Sequence, residues 1–322
     1  MTPDSPLDAL RREIDAIDSA MHDLMMRRTE VVGQIGALKG ARAAKFRPGR
    51  EAAILRTLAA RHLGPLPKAS LVTLWRQIIS AFLGMQGPFS VAALNEPDGP
   101  DFGDLARLHF GHLCTVSACA TTKRVIEDVT RGRATVGILP VPEQGEADSW
   151  WPSLLNDKAT PRVVARLPFA GPGNSRSDPS EAFVIGLMPP EDSGNDRTLL
   201  ALDADEAPPL ARVQPALKAA GLKPRLVVPC KPRGERAPWL CLVEVDGFIE
   251  GDGGRTERLA EHLPVRLQRL VNLGSYPVPL SAAELADAEA DAPAKAPAGP
   301  KVSYGRRATD KPRSRAAKQT VS

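Results

Sequence analysis

Aromatic residues are scarce in this sequence: eight Phe, four Trp and two Tyr among 322 residues leave too few rings for a broad nucleic-acid stacking surface. The body of the chain also lacks excess positive charge. Residues 292–322 hold eight Lys/Arg against one acid, Asp310, so the net charge of +4 comes from that end and the remainder is net negative. No nucleic-acid partner is expected. The four cysteines, Cys114, Cys119, Cys230 and Cys241, form no CxxC pair and have no histidine at metal-ligand spacing. Reduced thiols and no metal follow. No run approaches 18 apolar residues, and the first residues carry Asp4 and Asp8 rather than a basic stretch leading into an apolar one. Neither a membrane span nor a secretion signal is expected, which makes the cytoplasm the default location. At this length two or three domains are expected.

Proline marks the first boundary. Only six of the 31 prolines lie in residues 1–88, and within that stretch Leu7, Leu10, Ile14, Ile17, Met21, Leu24, Val31, Ile35 and Leu38 recur at steps of three and four. This is heptad spacing. Ser5 as cap, Pro6 at the first helical position and Asp8 in the first turn predict one helix of roughly 33–36 residues, about 50 Å long. An apolar seam of that length needs another long helix, most simply from a second copy of the chain.

The alternation calls for an apolar residue at position 28, where the chain has Arg28. Lys39 follows eleven residues later, only about 20° away around the helix axis, so both cations face one interior. Arg11 lies about 26 Å from Arg28 along the axis, yet in an antiparallel pair Arg11 of one copy approaches Arg28 and Lys39 of the other. After Phe46, Arg47 and Pro48, a second helix is predicted with Arg50 and Glu51 in its first turn and Ile54 and Leu58 inside. A third, from about Pro67 to Gln86, carries Leu71, Leu74, Ile78, Phe82 and Met85 as its apolar stripe.

The segments PLDALRREIDAID, RRTEVVGQIGALK, FRPGREAAIL and WRQIISAFLGMQ resemble, in order and spacing, the three helices of the all-helical class of chorismate mutases. The resemblance covers residues 5–87 and implies an intertwined three-helix homodimer domain that converts chorismate to prephenate without metal or cofactor. It further implies that Arg11 from the partner chain, Arg28 and Arg50 hold the substrate carboxylates. Lys39 and Gln86 would address the ether oxygen, and Glu51 with Lys39 the ring hydroxyl. Two positions depart from the family pattern: Arg47 stands where some relatives carry an acid that touches the hydroxyl, and Phe82 where many have a small side chain. Since every implied group lies before residue 88, residues 1–90 alone are expected to form an active dimer.

Beyond that point, residues 89–190 read as α/β, and VIEDVTRGRATVGILPVPEQ resembles part of prephenate dehydratase. Here Pro140-Val141-Pro142-Glu143-Gln144 stands for a Pro-Ile/Val-Glu-Asn element, and Glu181-Ala182-Phe183 for Thr-Arg-Phe. Only about 40 residues separate Pro140 from Phe183, too few for that enzyme's middle lobe, so a truncated lobe without dehydratase activity is expected. Residues 196–280 follow a βαββαβ pattern, and with Leu273-Gly274-Ser275-Tyr276-Pro277 resemble the ACT regulatory domain. Its effector elements are replaced by Pro208-Pro209-Leu210 and Pro229-Cys230-Lys231-Pro232, which points to a dimerising module without an amino-acid site. Residues 281–322, first Ala/Pro-rich and then basic, read as a disordered tail.

The expected architecture is therefore multidomain α and α+β. The expected function is that of a chorismate mutase in phenylalanine and tyrosine biosynthesis. The alternatives are a bifunctional mutase and dehydratase, or a non-catalytic sensor of aromatic metabolites.

Overall fold

The computed structural model describes residues 5–39, 46–96, 102–146, 149–155, 160–171, 181–230, 239–251 and 253–287. Residues up to 288 form one compact unit. Its first element, α1 (Pro6–Lys39), has the predicted length of 34 residues. Ser5 Oγ accepts from the Asp8 amide at 3.2 Å and so caps the helix. The heptad seam lies open: Leu7, Leu10, Ile14, Ile17, Met21, Leu24, Val31, Ile35 and Leu38 are 42–88% exposed in the single chain.

The next two helices, α2 (Pro48–Arg61) and α3 (Lys68–Met85), pack on each other and bury different faces from those expected. In α2 Ala52, Leu55 and Ala59 are buried, along with Pro48, Gly49 and Glu51, while Ile54 and Leu58 are only half-buried. In α3 they are Val72, Arg76, Ile79, Phe82 and Leu83, whereas Leu74 and Met85 stay exposed. The cause is a second neighbour. Ala52, Leu55, Ala59, Val72 and Ile79 form one apolar cluster with Phe169 and Leu280 from the later part of the chain.

The α/β region begins with β1 (Ser90–Leu94), α4 (Phe102–Phe110), β2 (Thr115–Cys119), α5 (Thr122–Thr130) and β3 (Val136–Pro140). A short 3₁₀ turn at Trp151–Leu154 precedes β4 (Arg162–Leu167) and β5 (Ala182–Gly186). The βαββαβ pattern follows as β6 (Asp196–Ala204), α6 (Leu210–Ala219), β7 (Pro224–Pro229), β8 (Trp239–Asp246), α7 (Arg255–His262) and β9 (Leu267–Pro277). The helix α7 stops at His262, because Pro264 pushes Leu263 into the extended region and Leu267–Leu270 then join β9. Nor does the tail begin at Ser281. Ser281 and Glu284 make a capping box for α8 (Ala282–Leu285), which packs on α2. The basic residues proposed for the tail lie outside the described residues, as do Lys231 and Pro232.

All nine strands join in one sheet, in the order β2-β1-β3-β5-β4-β9-β6-β8-β7. The pairs β1–β2 and β1–β3 are parallel, as the helical crossovers α4 and α5 require. The last four strands pair antiparallel, with α6 and α7 packed against the cluster of Leu200, Leu202, Val213, Cys241, Val243 and Leu259. The two halves of the sheet meet at a single parallel register point, Val163 beside Gly274. Gly274 has φ +133°, and a Cβ there would lie 2.1 Å from the Val163 carbonyl oxygen. Only glycine fits that approach.

Phe46 fixes the entry to α2. It is 1% exposed and packs edge-on against Phe110 of α4, with ring centroids 5.2 Å apart. The helical segment thus shares part of its core with the α/β region, which counts against the expectation that residues 1–90 are self-sufficient. Cutting the chain at 90 bares Phe46, Leu55 and Leu83, each no more than 4% exposed in the whole chain. The fragment should melt less cooperatively, and at lower temperature, than the full protein in a circular-dichroism scan. Gly274→Ala should destabilise the full chain by about 1–3 kcal/mol for the backbone conformation alone, more once the clash is added, and urea unfolding measures it.

Candidate functional site

Arg28 interrupts the apolar seam of α1 and reaches the α3 side. Its guanidinium lies over the Phe82 ring, with Cζ 4.1 Å from the centroid. Nη1 is buried and has no hydrogen-bond partner among the described residues. Burial pulls the Arg28 pKa below its usual value, and among the described residues no carboxylate offsets that cost. One turn beyond Phe82, Gln86 ends α3 and is half-buried, its Nε2 donating to the Phe82 carbonyl at 3.4 Å. Arg28 over the Phe82 ring therefore makes a cationic corner that lacks an anion among the described residues, with Gln86 one turn further along α3.

The other expected residues sit elsewhere around it. Arg11 is exposed on α1 and reaches back to Asp8 at 3.4 Å. Lys39 is the last residue of α1. Arg50 is exposed in the first turn of α2. Arg47 pairs with Glu191, in the segment between β5 and β6, at 2.6 Å. Glu51 is 7% exposed and accepts from Arg76 Nη1 of α3 at 2.5 Å.

Burial raises the Glu51 pKa, Arg76 pulls it back down by charge and hydrogen bond, and Glu191 adds a smaller upward push. Near Arg76, buried His109 of α4 is held well below its usual pKa, first by desolvation and then by the Arg76 charge, so it is neutral near pH 7. Sequence reasoning missed Arg76. The available signal was its place on the buried stripe Val72, Arg76, Ile79, Leu83, a charge among apolar residues at helical spacing. Its partner Glu51 lies 25 residues earlier and is fixed only by the packing of α2 on α3.

A second group of cations lines a cavity of about 480 Å³ beneath the βαββαβ sheet, together with Gln144 and Glu244. There each guanidinium has a carboxylate: Arg166 pairs with Glu181 at 2.5 Å and Glu244 at 3.0 Å, Arg197 with Glu244 at 3.2 Å, and Arg225 with Asp246 at 2.7 Å. These cations are neutralised within the fold, whereas Arg28 is not.

Residues 10–87 match the family model for chorismate mutase type II. The bifunctional chorismate mutase/prephenate dehydratase of Neisseria gonorrhoeae is 34% identical over 145 residues, 45% of this chain and 40% of that protein. Its namesake from Stutzerimonas stutzeri is 31% identical over 152 residues, 45% of this chain and 41% of that protein. The matched stretches span less than half the length of these curated relatives. Among solved structures, prephenate dehydratase from Streptococcus mutans superposes with a TM-score of 0.43 at 15% identity, covering 59% of this chain and 98% of that one. A chain described as GqqA, a novel type of quorum quenching acylases, superposes with a TM-score of 0.44 at 18% identity, over 60% of this chain and 96% of that one.

The stacked corner generates a stability test. Phe82→Leu keeps most of the core volume and removes the ring face, and Arg28→Met removes the charge. The two single variants and the double variant, compared by urea unfolding, should show a coupling of about 0.5–2 kcal/mol. Strict additivity would mean that the ring does not hold the guanidinium.

Proposed function

We propose that the chain is a chorismate mutase, acting through residues 1–88 of two copies paired along α1. The observation that carries this reading is Arg28, whose Nη1 is buried without a hydrogen-bond partner among the described residues, inside the stretch that matches chorismate mutase type II. A dicarboxylate substrate supplies the anion this corner lacks. The homodimer is supported by the open α1 seam, which needs a cover about as long as itself.

In this reading Arg28 and Arg50, with Arg11 from the second copy, clamp the two carboxylates, and Arg47 stands at the rim beside Glu191. Lys39 and Gln86 face the ether oxygen, and Glu51 accepts from the ring hydroxyl. The rearrangement breaks one carbon–oxygen bond as one carbon–carbon bond forms, and no proton moves. Fixed clamps select the folded conformer. As the ether bond stretches, its oxygen gains negative charge, so a preorganised ammonium and amide stabilise the transition state more than the ground state. The reaction uses neither metal nor cofactor.

The remaining assignments belong to the same proposal: residues 89–190 as a truncated dehydratase-like lobe, 196–280 as an ACT-like dimerising module without an amino-acid effector, and residues to 322 as a tail. A cytoplasmic location goes with this reading and rests on the sequence alone. The curated relatives carry a dehydratase in their names, yet Glu181 is paired with Arg166, and Ala182 is fully buried between Pro140 and Leu167. Neither residue offers the hydroxyl or free guanidinium expected of that activity.

Incubating the full chain with chorismate near neutral pH should yield prephenate and no enzyme-dependent phenylpyruvate. Undiminished chorismate would sink the mutase reading, and phenylpyruvate formed from added prephenate would promote the bifunctional one. Lys39→Ala should lower kcat by roughly 10²–10³-fold. Arg11→Ala and Lys39→Ala should each be nearly inactive, whereas their mixed dimer holds one intact site and regains activity. If subunit exchange is demonstrated and no activity returns, Arg11 does not cross between copies.

A further inference from the structure

We propose that Arg76 is a positioning residue for Glu51, holding one oxygen of the buried carboxylate so that the other is presented to the substrate's ring hydroxyl. The inference rests on the mutase reading above and adds to it a residue on the far side of Glu51.

The geometry is specific. Arg76 Nη1 donates to Glu51 Oε2 at 2.5 Å, between side chains that are each 9% exposed. Among the described residues, no other carboxylate pairs with Arg76, and Glu51 Oε1 accepts no hydrogen bond. The Phe169 ring lies 5.9 Å from Arg76 Cζ, so the guanidinium packs against an apolar neighbour. The pair is thus fixed at one oxygen and unassigned at the other. A buried ion pair adds little net stability over an apolar pair of the same shape, but loss of one member leaves a lone charge at high cost. What the pair does supply is a carboxylate of fixed orientation.

It also supplies a fixed charge. Among the described side chains, the charged groups facing Glu51 are Arg76 from α3 and Glu191 from the segment before β6, the latter already engaged by Arg47. His109 from α4 stands on the Arg76 side and is neutral. Burial and Glu191 drive Glu51 towards its protonated form, and among the described side chains Arg76 opposes them. Without that guanidinium the carboxyl takes up a proton at higher pH and loses the charge that draws the substrate hydroxyl.

The test is the pH dependence of kcat for chorismate conversion by the full chain. Arg76→Gln should move the acid limb upward by about 1–3 pH units, and Arg76→Lys, which keeps the charge, should bring it back towards the parent. A profile for Arg76→Gln that differs from the parent only in scale overturns the proposal, because a purely structural role scales activity without moving the limb. Should Arg76→Gln fail to fold, the Arg76→Gln/Glu51→Gln double variant leaves no lone buried charge. Its activity should equal that of Glu51→Gln alone, and a further loss of about tenfold or more would show that Arg76 acts independently of Glu51. A parent chain that leaves chorismate untouched overturns this inference and the mutase reading together. An active parent with an unmoved limb overturns this inference alone.

Discussion

Arg56 of α2 donates to the carbonyls of Ser193, Asn195 and Val278 and to the Ser193 hydroxyl, at 2.8–3.2 Å. One guanidinium thereby fixes the middle helix to the segment before β6 and to the end of β9. Burial lowers the Arg56 pKa, and the nearby Asp196 and Glu284 offset part of that cost. Much else in the helical part depends on this attachment. It sets which face of α2 is inside, so Ala52, Leu55 and Ala59 meet Phe169 and Leu280, and Gly49 has Glu191 where a Cβ would stand, 2.9 Å away. Glu51 is carried to the same depth and must find a counter-charge, which Arg76 provides. The position of a proposed substrate group is therefore set by contacts with the other half of the chain.

The legibility of each helix follows from how many neighbours it has. α1 has few contacts within its own chain, so its apolar pattern has one period, and both its length and its Ser5 cap could be read directly. α2 and α3 each meet more than one neighbour. Their apolar residues cover too much of the circumference for spacing to say which face is inside, so Ile54 and Leu74 passed for core while Leu55 and Val72 occupied it. The βαββαβ order was readable because turn residues separate its runs. α8 escaped notice because composition dominated the reading of Ser281–Asp287, although Ser281 and Glu284 spell a capping box.

The cations of the helical part separate by whether the fold supplies their anion. Arg47 has Glu191, Arg76 has Glu51, and Arg56 has carbonyl oxygens. Among the described residues Arg28 has the face of Phe82, which attracts the guanidinium but leaves its buried Nη1 without an acceptor. That contrast was invisible in the sequence, where all four are arginines in or beside helices. It suits the pericyclic reaction proposed above, which calls for fixed charge around a folded dianion and has no use for a proton carrier. His109, the buried histidine of this region, is correspondingly held neutral beside a cation.

In the later half the same chemistry serves cohesion. Arg166 of β4 binds Glu181 ahead of β5 and Glu244 of β8, and it donates to the Tyr276 hydroxyl of β9 at 3.3 Å. The Tyr276 hydroxyl itself donates to Glu244, and burial together with that carboxylate raises its pKa. The network spans both halves of the sheet close to their single register point, Val163 beside Gly274. An acid at 181 thus neutralises Arg166, which would otherwise stand with Glu244 as its one carboxylate, and Glu244 is already shared with Arg197. Restoring threonine at 181 would remove that counter-charge, and arginine at 182 would force a cation into a strand position with no exposed surface. The departure at 182 is therefore coupled to the packing where the two sheet halves are joined, whereas that at 181 adds a largely exposed counter-charge to the same network.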